Sequence, residues 1–384
     1  MQRREFLATT LATGAAALLT PSLNLALSAA AKERHLLYIA EPGIRNYVRY
    51  GGIGVLVYDI GQGYKFVKRI PTFETPAGSK DPENVKGIAA CAKTARLYVS
   101  TIKRIGCFDL VTEKKLWEKE LEGGCDRMAV SPDGTIVYVP SLEGPHWNVI
   151  DGATGNQLAQ VLTNSGAHNT IFGHDGAKVY LAGLKSPLLN IADAQTHKVI
   201  KQVGPFGSAI RPFTVDASET FVYVNVNELL GFEIGNLRTG EKLHRIEITG
   251  YEKGPVDRHG CPSHGIGLTP DGRELWVCDG HNKAVHVFDN TVMPPKQMTS
   301  IPVRDQPGWI TFSIDGKHAY PSTGEIFDTK TKKRVLALQD EEHRNIGSEK
   351  LLELVFDGTT PVRNGDQFGI GATGHQAAGT GSSR

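Results

Sequence analysis

The sequence predicts an all-β fold, a seven-bladed β-propeller with four-stranded blades, and three observations predict it. First, an aromatic residue followed by apolar and small residues recurs: "LLYIAE" at Tyr38, "RLYVST" at Tyr98, "IVYVPS" at Tyr138, "KVYLAG" at Tyr180, "FVYVNV" at Tyr223, "ELWVCD" at Trp276 and "HAYPST" at Tyr320. From the second to the fifth the steps are 40, 42 and 43 residues, then 53 and 44. Second, Asp133-Gly134, Asp175-Gly176, Asp271-Gly272 and Asp315-Gly316 stand just before four of these anchors. Asp-Gly suits a tight hairpin, because Gly tolerates positive φ and Asp caps its own backbone. Third, the chain ends complement each other, as set out below.

Each repeat reads as four short strands. In the third, "RMAVS", "TIVYVP", "WNVID" and "QLAQVL" alternate apolar and polar residues between turns, the signature of half-buried strands. About forty residues and four strands make one propeller blade. Lys93-Thr94 and Ser218-Glu219 replace Asp-Gly in two repeats. The N-terminal "HLLYIAE…VLVYDIGQGYKFVKRI" supplies three strands without a first one, and the C-terminal "KLLELVFDG" supplies a first strand with nothing to follow. The two ends are therefore expected to share one blade, which removes exposed sheet edges. The propeller is set at residues 32–365, with a disordered tail at 366–384.

Residues 1–31 read as a signal peptide: a charged tip, an apolar middle and a small-residue end. Arg3-Arg4-Glu5-Phe6-Leu7 fits the twin-arginine type, with an ordinary secretory signal as the competing reading. The expected location is periplasmic or secreted, with no membrane span after cleavage. A formal charge of +1 gives no basic excess for nucleic acid, and a monomer is expected. Of five cysteines, Cys91, Cys107 and Cys278 fall in strands as small hydrophobes, while loop residues Cys125 and Cys261 can pair. No C-x-x-C-H occurs, so covalent c-type haem is excluded, and no cofactor is expected.

These repeats resemble the YVTN-type seven-bladed propellers, on "FVYVNV", "RLYVST" and "SPDGTIVYVPS". That group includes lactonase-like proteins, the haem d1 domain of nitrite reductases and the heavy chain of methylamine dehydrogenase. The resemblance implies the fold and leaves the function open.

The blade register places the long loops at one end, where binding normally lives. Reading the residue just before each first strand gives Lys86, Arg127, His168, Arg211, His264 and Gly308, with Arg344 nearby. Neighbouring loops add Arg45, Tyr47, Arg49, His146 and His281. A near-neutral chain thus concentrates Arg and His around one funnel, which suits a small molecule or saccharide with an acidic group, because Arg forks match carboxylate geometry. In β-elimination on a uronic acid or in lactone opening, Arg127 and Arg211 would clamp the carboxylate, and His168, His264 or Tyr47 would move the proton. Arg45, Arg49, Lys86, His146, His281 and Arg344 would bind the ligand. A non-catalytic binding or scaffold propeller and a redox accessory propeller stay open beside this reading.

Cys261-x2-His264 and Cys278-x2-His281 have the spacing of a zinc clip. The repeat register argues against one: Cys278 fills a slot held elsewhere by Ser100, Pro140, Ala182, Asn225 and Ser322, and His264 aligns with the funnel positions. No metal is expected.

Overall fold

The computed structural model describes residues 33–371. Their strands form seven antiparallel sheets, and the innermost strands of successive sheets touch to close a ring. Six blades are continuous stretches of chain: Val85–Glu120, Ala129–Leu162, Ala167–Val203, Ile210–Glu247, Ser263–Pro302 and Ile310–Ala337, the second to the seventh. The first blade takes three strands from Arg34–Ile70, and Leu351–Asp357 pairs with Arg34–Glu41, Tyr38 opposite Leu352. The predicted seven-bladed all-β propeller, closed by the two chain ends, is the observed fold. Only short 3-10 turns, such as Val48–Tyr50, interrupt the strands among the described residues.

The recurring aromatic occupies the second strand of every blade and is buried each time. The tyrosine hydroxyls explain why a ring with a polar tip recurs there. Tyr98 donates to the Gly152 carbonyl at 3.0 Å and Tyr180 to Glu219 Oε2 at 2.5 Å, each reaching the following blade. Tyr138 meets His197 Nδ1 at 2.7 Å in the same way. These three anchors fill the apolar layer between blades and satisfy their own polar atoms across the seam, whereas Trp276 donates to Glu274 in its own strand. In the four Asp-Gly turns the glycine holds φ between 68° and 77°. Where Asp-Gly is missing, Ala95 and Glu219 take the left-handed conformation instead, at φ 51° and 49°. The turn geometry is kept and strain replaces glycine.

The C-terminal boundary differs from the expected one. After Gly358, Thr360–Asn364 folds back on Leu351–Asp357 as a fifth strand. The chain then continues through the channel as far as Gly371. Gln367 accepts from the Ile88 amide at 3.3 Å and donates to the Met128 carbonyl at 3.0 Å. The Gly369 carbonyl accepts from Leu268 N and Thr214 Oγ1, and Gly371 N donates to the Val215 carbonyl. Residues 366–371 are therefore held by four different innermost strands, whose inner edges otherwise leave backbone groups unpaired. The expected signal peptide, its twin-arginine pair and the tail from 372 onward lie outside the described residues.

Candidate functional site

Four of the funnel residues sit on β-bulges, all at the loop end of an innermost strand. Pairing skips Lys86 between Val85 and Gly87, and His168 between Ala167 and Asn169. It skips Arg211 between Ile210 and Phe213, and His264 between Ser263 and Ile266. A bulge inserts an extra residue and re-aims a side chain. Gly265 makes one of them possible: its φ is 90°, and a Cβ there would come within 2.7 Å of the Trp309 backbone.

Two linked charge clusters result. In the first, His168 Nδ1 lies 2.6 Å from Asp126 Oδ2, and Lys86 Nζ lies 3.3 Å from Oδ1. Burial pushes the Asp126 carboxyl up, but His168, Lys86 and Arg127 together hold it below its usual range. Burial outweighs Asp126 at His168 and draws the imidazole down, so its neutral form dominates at pH 7. With Nδ1 turned to Asp126, Nε2 carries the lone pair and makes no hydrogen bond among the described residues. Tautomer and orientation are fixed by a carboxylate, as a positioned base requires.

In the second cluster Arg127 donates through Nη2 to Glu349 Oε2 at 2.5 Å and through Nη1 to the Glu349 carbonyl at 3.1 Å. Its guanidinium carbon stands 3.5 Å above the Trp309 ring. Lys350 Nζ lies 2.9 Å from the same Glu349 oxygen and 2.7 Å from the Gly43 carbonyl. Burial raises the Glu349 carboxyl, yet Lys350, His259 and Arg127 hold it well below the carboxylate range. Burial lowers Lys350 to about 7 despite Glu349. His259 Nε2 lies 3.3 Å from Glu349 Oε1, and its ring stacks on His264 with centroids 4.2 Å apart.

His259 belongs to the long loop between the fifth and sixth blades, residues 248–262, which covers this floor. Arg258 pins the loop: Nη2 lies 2.6 Å from Asp305 Oδ2 and bonds the Tyr50 hydroxyl, with the guanidinium 4.9 Å above the Tyr50 ring. Arg45 donates to the Arg258 carbonyl at 2.9 Å, and Arg211 to the Gly260 carbonyl at 3.3 Å.

Of the predicted residues, Lys86, Arg127, His168 and His264 meet on the channel floor, with Arg211 half-buried beside them. Tyr47 and Arg49 are exposed on the first blade's loop, where Arg49 stacks over Tyr47 and Tyr50. His146 is buried against the Glu122 carbonyl, and exposed His281 faces the Pro255 carbonyl under the covering loop. Arg344 does not join the funnel: it is bound to Asp340 at 2.6 Å and Glu342 at 3.1 Å in its own turn. Glu349 and Lys350 hold that place in the ring. They immediately precede the first strand of the closing blade, so the register that found Arg127 points to them. Asp126 adjoins Arg127 in sequence, whereas nothing in the repeat indicates His259.

The two Cys/His pairs do not come together. Cys261 donates to the Ser263 carbonyl, Cys278 is sealed in the sixth blade's core, and His264 Nδ1 bonds the Gly308 carbonyl at 2.7 Å. Cys125 and Cys261 are separate buried free thiols, not a pair. His259, His264 and Glu349 do converge within 4.8 Å. Their two rings are only 15° from parallel, so one ion cannot lie in both ring planes, and both Arg127 and Lys350 already hold the carboxylate. The arrangement is a stack on a carboxylate, not a coordination shell.

No family model matches the chain, and no curated protein matches it in sequence. Among solved structures, a chain of the hydrazine synthase of Kuenenia stuttgartiensis is similar, with TM-score 0.58 and 14% identity over 73% of this chain and 88% of that one. The likeness is one of fold alone.

Proposed function

We propose that this propeller binds a small molecule or saccharide bearing a carboxylate at the loop end of its channel, and moves a proton there: from the carbon beside the carboxylate in β-elimination on a uronic acid, with the glycosidic oxygen leaving from the next carbon, or from the attacking water in lactone opening. The observation that carries this reading is the Lys86–Asp126–His168 cluster. Lys86 and His168 keep 17% and 9% of their side chains exposed and share the Asp126 carboxylate, which supports a cation and a positioned base acting side by side. Lys86 would neutralise the substrate carboxylate and acidify the adjacent C–H, and His168 Nε2 would take the proton. Arg211, 2.5 Å from Asn227 and half-buried, would supply a second carboxylate contact.

Exported YVTN-type proteins are the group this reading draws on, with the signal peptide implying that substrate is met outside the cytoplasm. A non-catalytic binding propeller is the second reading. It is favoured by Arg127, whose charge is already matched by buried Glu349 and so serves the scaffold before any ligand. Incubation with uronate oligosaccharides, followed by the ultraviolet absorbance of the unsaturated product, separates the two. Turnover lost in His168→Ala supports catalysis; binding without turnover supports the second reading.

A further inference from the structure

The end of the channel away from the charged clusters contains a cavity of about 420 Å3. Six blades and the C-terminal segment wall it with apolar side chains, among them Ile88, Met128, Phe172, Leu268, Phe312 and Phe368. A volume of this size, mostly apolar with a few polar atoms, is what a small-molecule site presents.

Two polar side chains on that wall are left wanting a partner. Arg363 and His174 both line the cavity. Arg363 Nε and His174 Nε2 are buried, and neither has a hydrogen-bond partner among the described residues. Buried polar atoms are ordinarily paired, and an orphan beside a cavity marks where a ligand atom fits. The acids on the same wall are engaged: Asp366 accepts from the Phe368 amide at 2.5 Å, and Asp315 from Ser313 at 2.7 Å and Lys317 at 2.9 Å. Among the described residues Arg363 has one counterion, Glu33, on its Nη2.

We propose that this cavity is a second ligand site, for a small amphiphilic acid whose apolar body fills the space between Ile88, Leu268 and Phe368 and whose acid group takes Arg363 Nε. The fold explains how such a site arises. The segment from Thr360 to Gly371 narrows the channel from one side and brings Arg363 to the wall, so the C-terminal extension that completes the first blade also builds the pocket.

The site is tested on the full chain with anilinonaphthalene sulfonate, an aromatic acid that fluoresces when shielded from water, and with neutral anilinonaphthalene. Saturable one-to-one enhancement is expected with both. Arg363→Met weakens the sulfonate roughly tenfold and leaves the neutral probe unchanged, because only the former uses the cation. Ile370→Trp, which fills the cavity from a half-buried wall position, weakens both probes roughly tenfold or more. If Ile370→Trp does not fold, by circular dichroism, the contrast between the two probes in Arg363→Met decides. Non-saturable enhancement, or equal loss of both probes in Arg363→Met, overturns the proposal. So does much tighter binding by a chain ending at Gly371, which would make residues 372–384 the cavity's occupant. Neither variant touches the charged clusters, so this site and the carboxylate site fail separately.

Discussion

His168 Nδ1 lies 2.6 Å from Asp126 Oδ2, and Lys86 Nζ takes the other oxygen of that carboxylate at 3.3 Å. One buried acid therefore orients a base and balances a cation. Asp126→Asn keeps the shape and removes the charge. Turnover is expected to fall about a hundredfold, as for loss of a general base, while the Kd for an acidic ligand holds or improves because Lys86 loses its internal partner. Steady-state kinetics beside calorimetric titration checks both. Equal loss of binding and turnover would mean that Asp126 serves only the scaffold.

Arg127 and Glu349 form a buried pair, 3% and 7% exposed. Removing Arg127 leaves the buried Glu349 carboxylate to Lys350 and His259 alone, at a cost of up to about 3–5 kcal/mol. Arg127→Met is expected to lose stability towards that scale in urea unfolding. Adding Glu349→Gln should recover part of it, because the under-compensated carboxylate is then gone. Additive losses in the double variant would show that the two side chains do not share one interaction.

Stability should depend on pH through His259. Burial pulls its imidazole from 6.5 down to about 4 beside Glu349, Lys350, Arg127 and Arg258. As pH falls below 6.5 the unfolded chain binds the proton first, so stability is lost between pH 6.5 and 4 and is complete above 6.5. The depression corresponds to about 3 kcal/mol. His259→Gln is expected to flatten that limb of the stability curve, read from melting temperature against pH. An unchanged slope contradicts the assignment. Buried His264, also drawn well down by burial and by His259, and His168, drawn down by burial, contribute to the slope that remains.

The Arg258 side chain makes several of the bonds that fasten the covering loop, to Asp305, Tyr50 and the Gln306 carbonyl. Arg258→Ala should speed amide exchange across residues 251–262 while the strand Ser263–Leu268 stays protected. Exchange that rises equally in both would mean the loop and blade open together.

The fold was legible because it repeats. Tyr98, Tyr138 and Tyr180 mark equivalent slots, and the Asp-Gly turns mark the reversals before them. A second signature was there to be read: Asp109, Asp151, Asp193 and Asp328 are each followed three residues later by a Thr, whose amide and hydroxyl they bind in the turn between the outer strands. The site was legible where it follows the register, at Lys86, Arg127, His168 and His264. It was lost where the register ends. Arg344 stands in the stretch that leads into the closing strand and reads as near the funnel, whereas Glu349 and Lys350, which immediately precede that strand, fill the equivalent position. His259 reaches the floor through an irregular loop, and no periodicity encodes where such a loop folds. Residues 366–371 look like a Gly-rich tail, and only the unpaired inner edges of four strands give them a place to bind.

The central claim is that the Lys86–His168 end of the channel recognises a carboxylate. Calorimetric titration with a trigalacturonate and with its methyl ester tests it most directly, because the two differ only in the acid. The predicted result is one-to-one binding of the acid, weakened roughly tenfold by esterification and, to about the same extent, by Lys86→Met. Equal affinity for acid and ester, or binding of the acid unchanged in Lys86→Met, would contradict it.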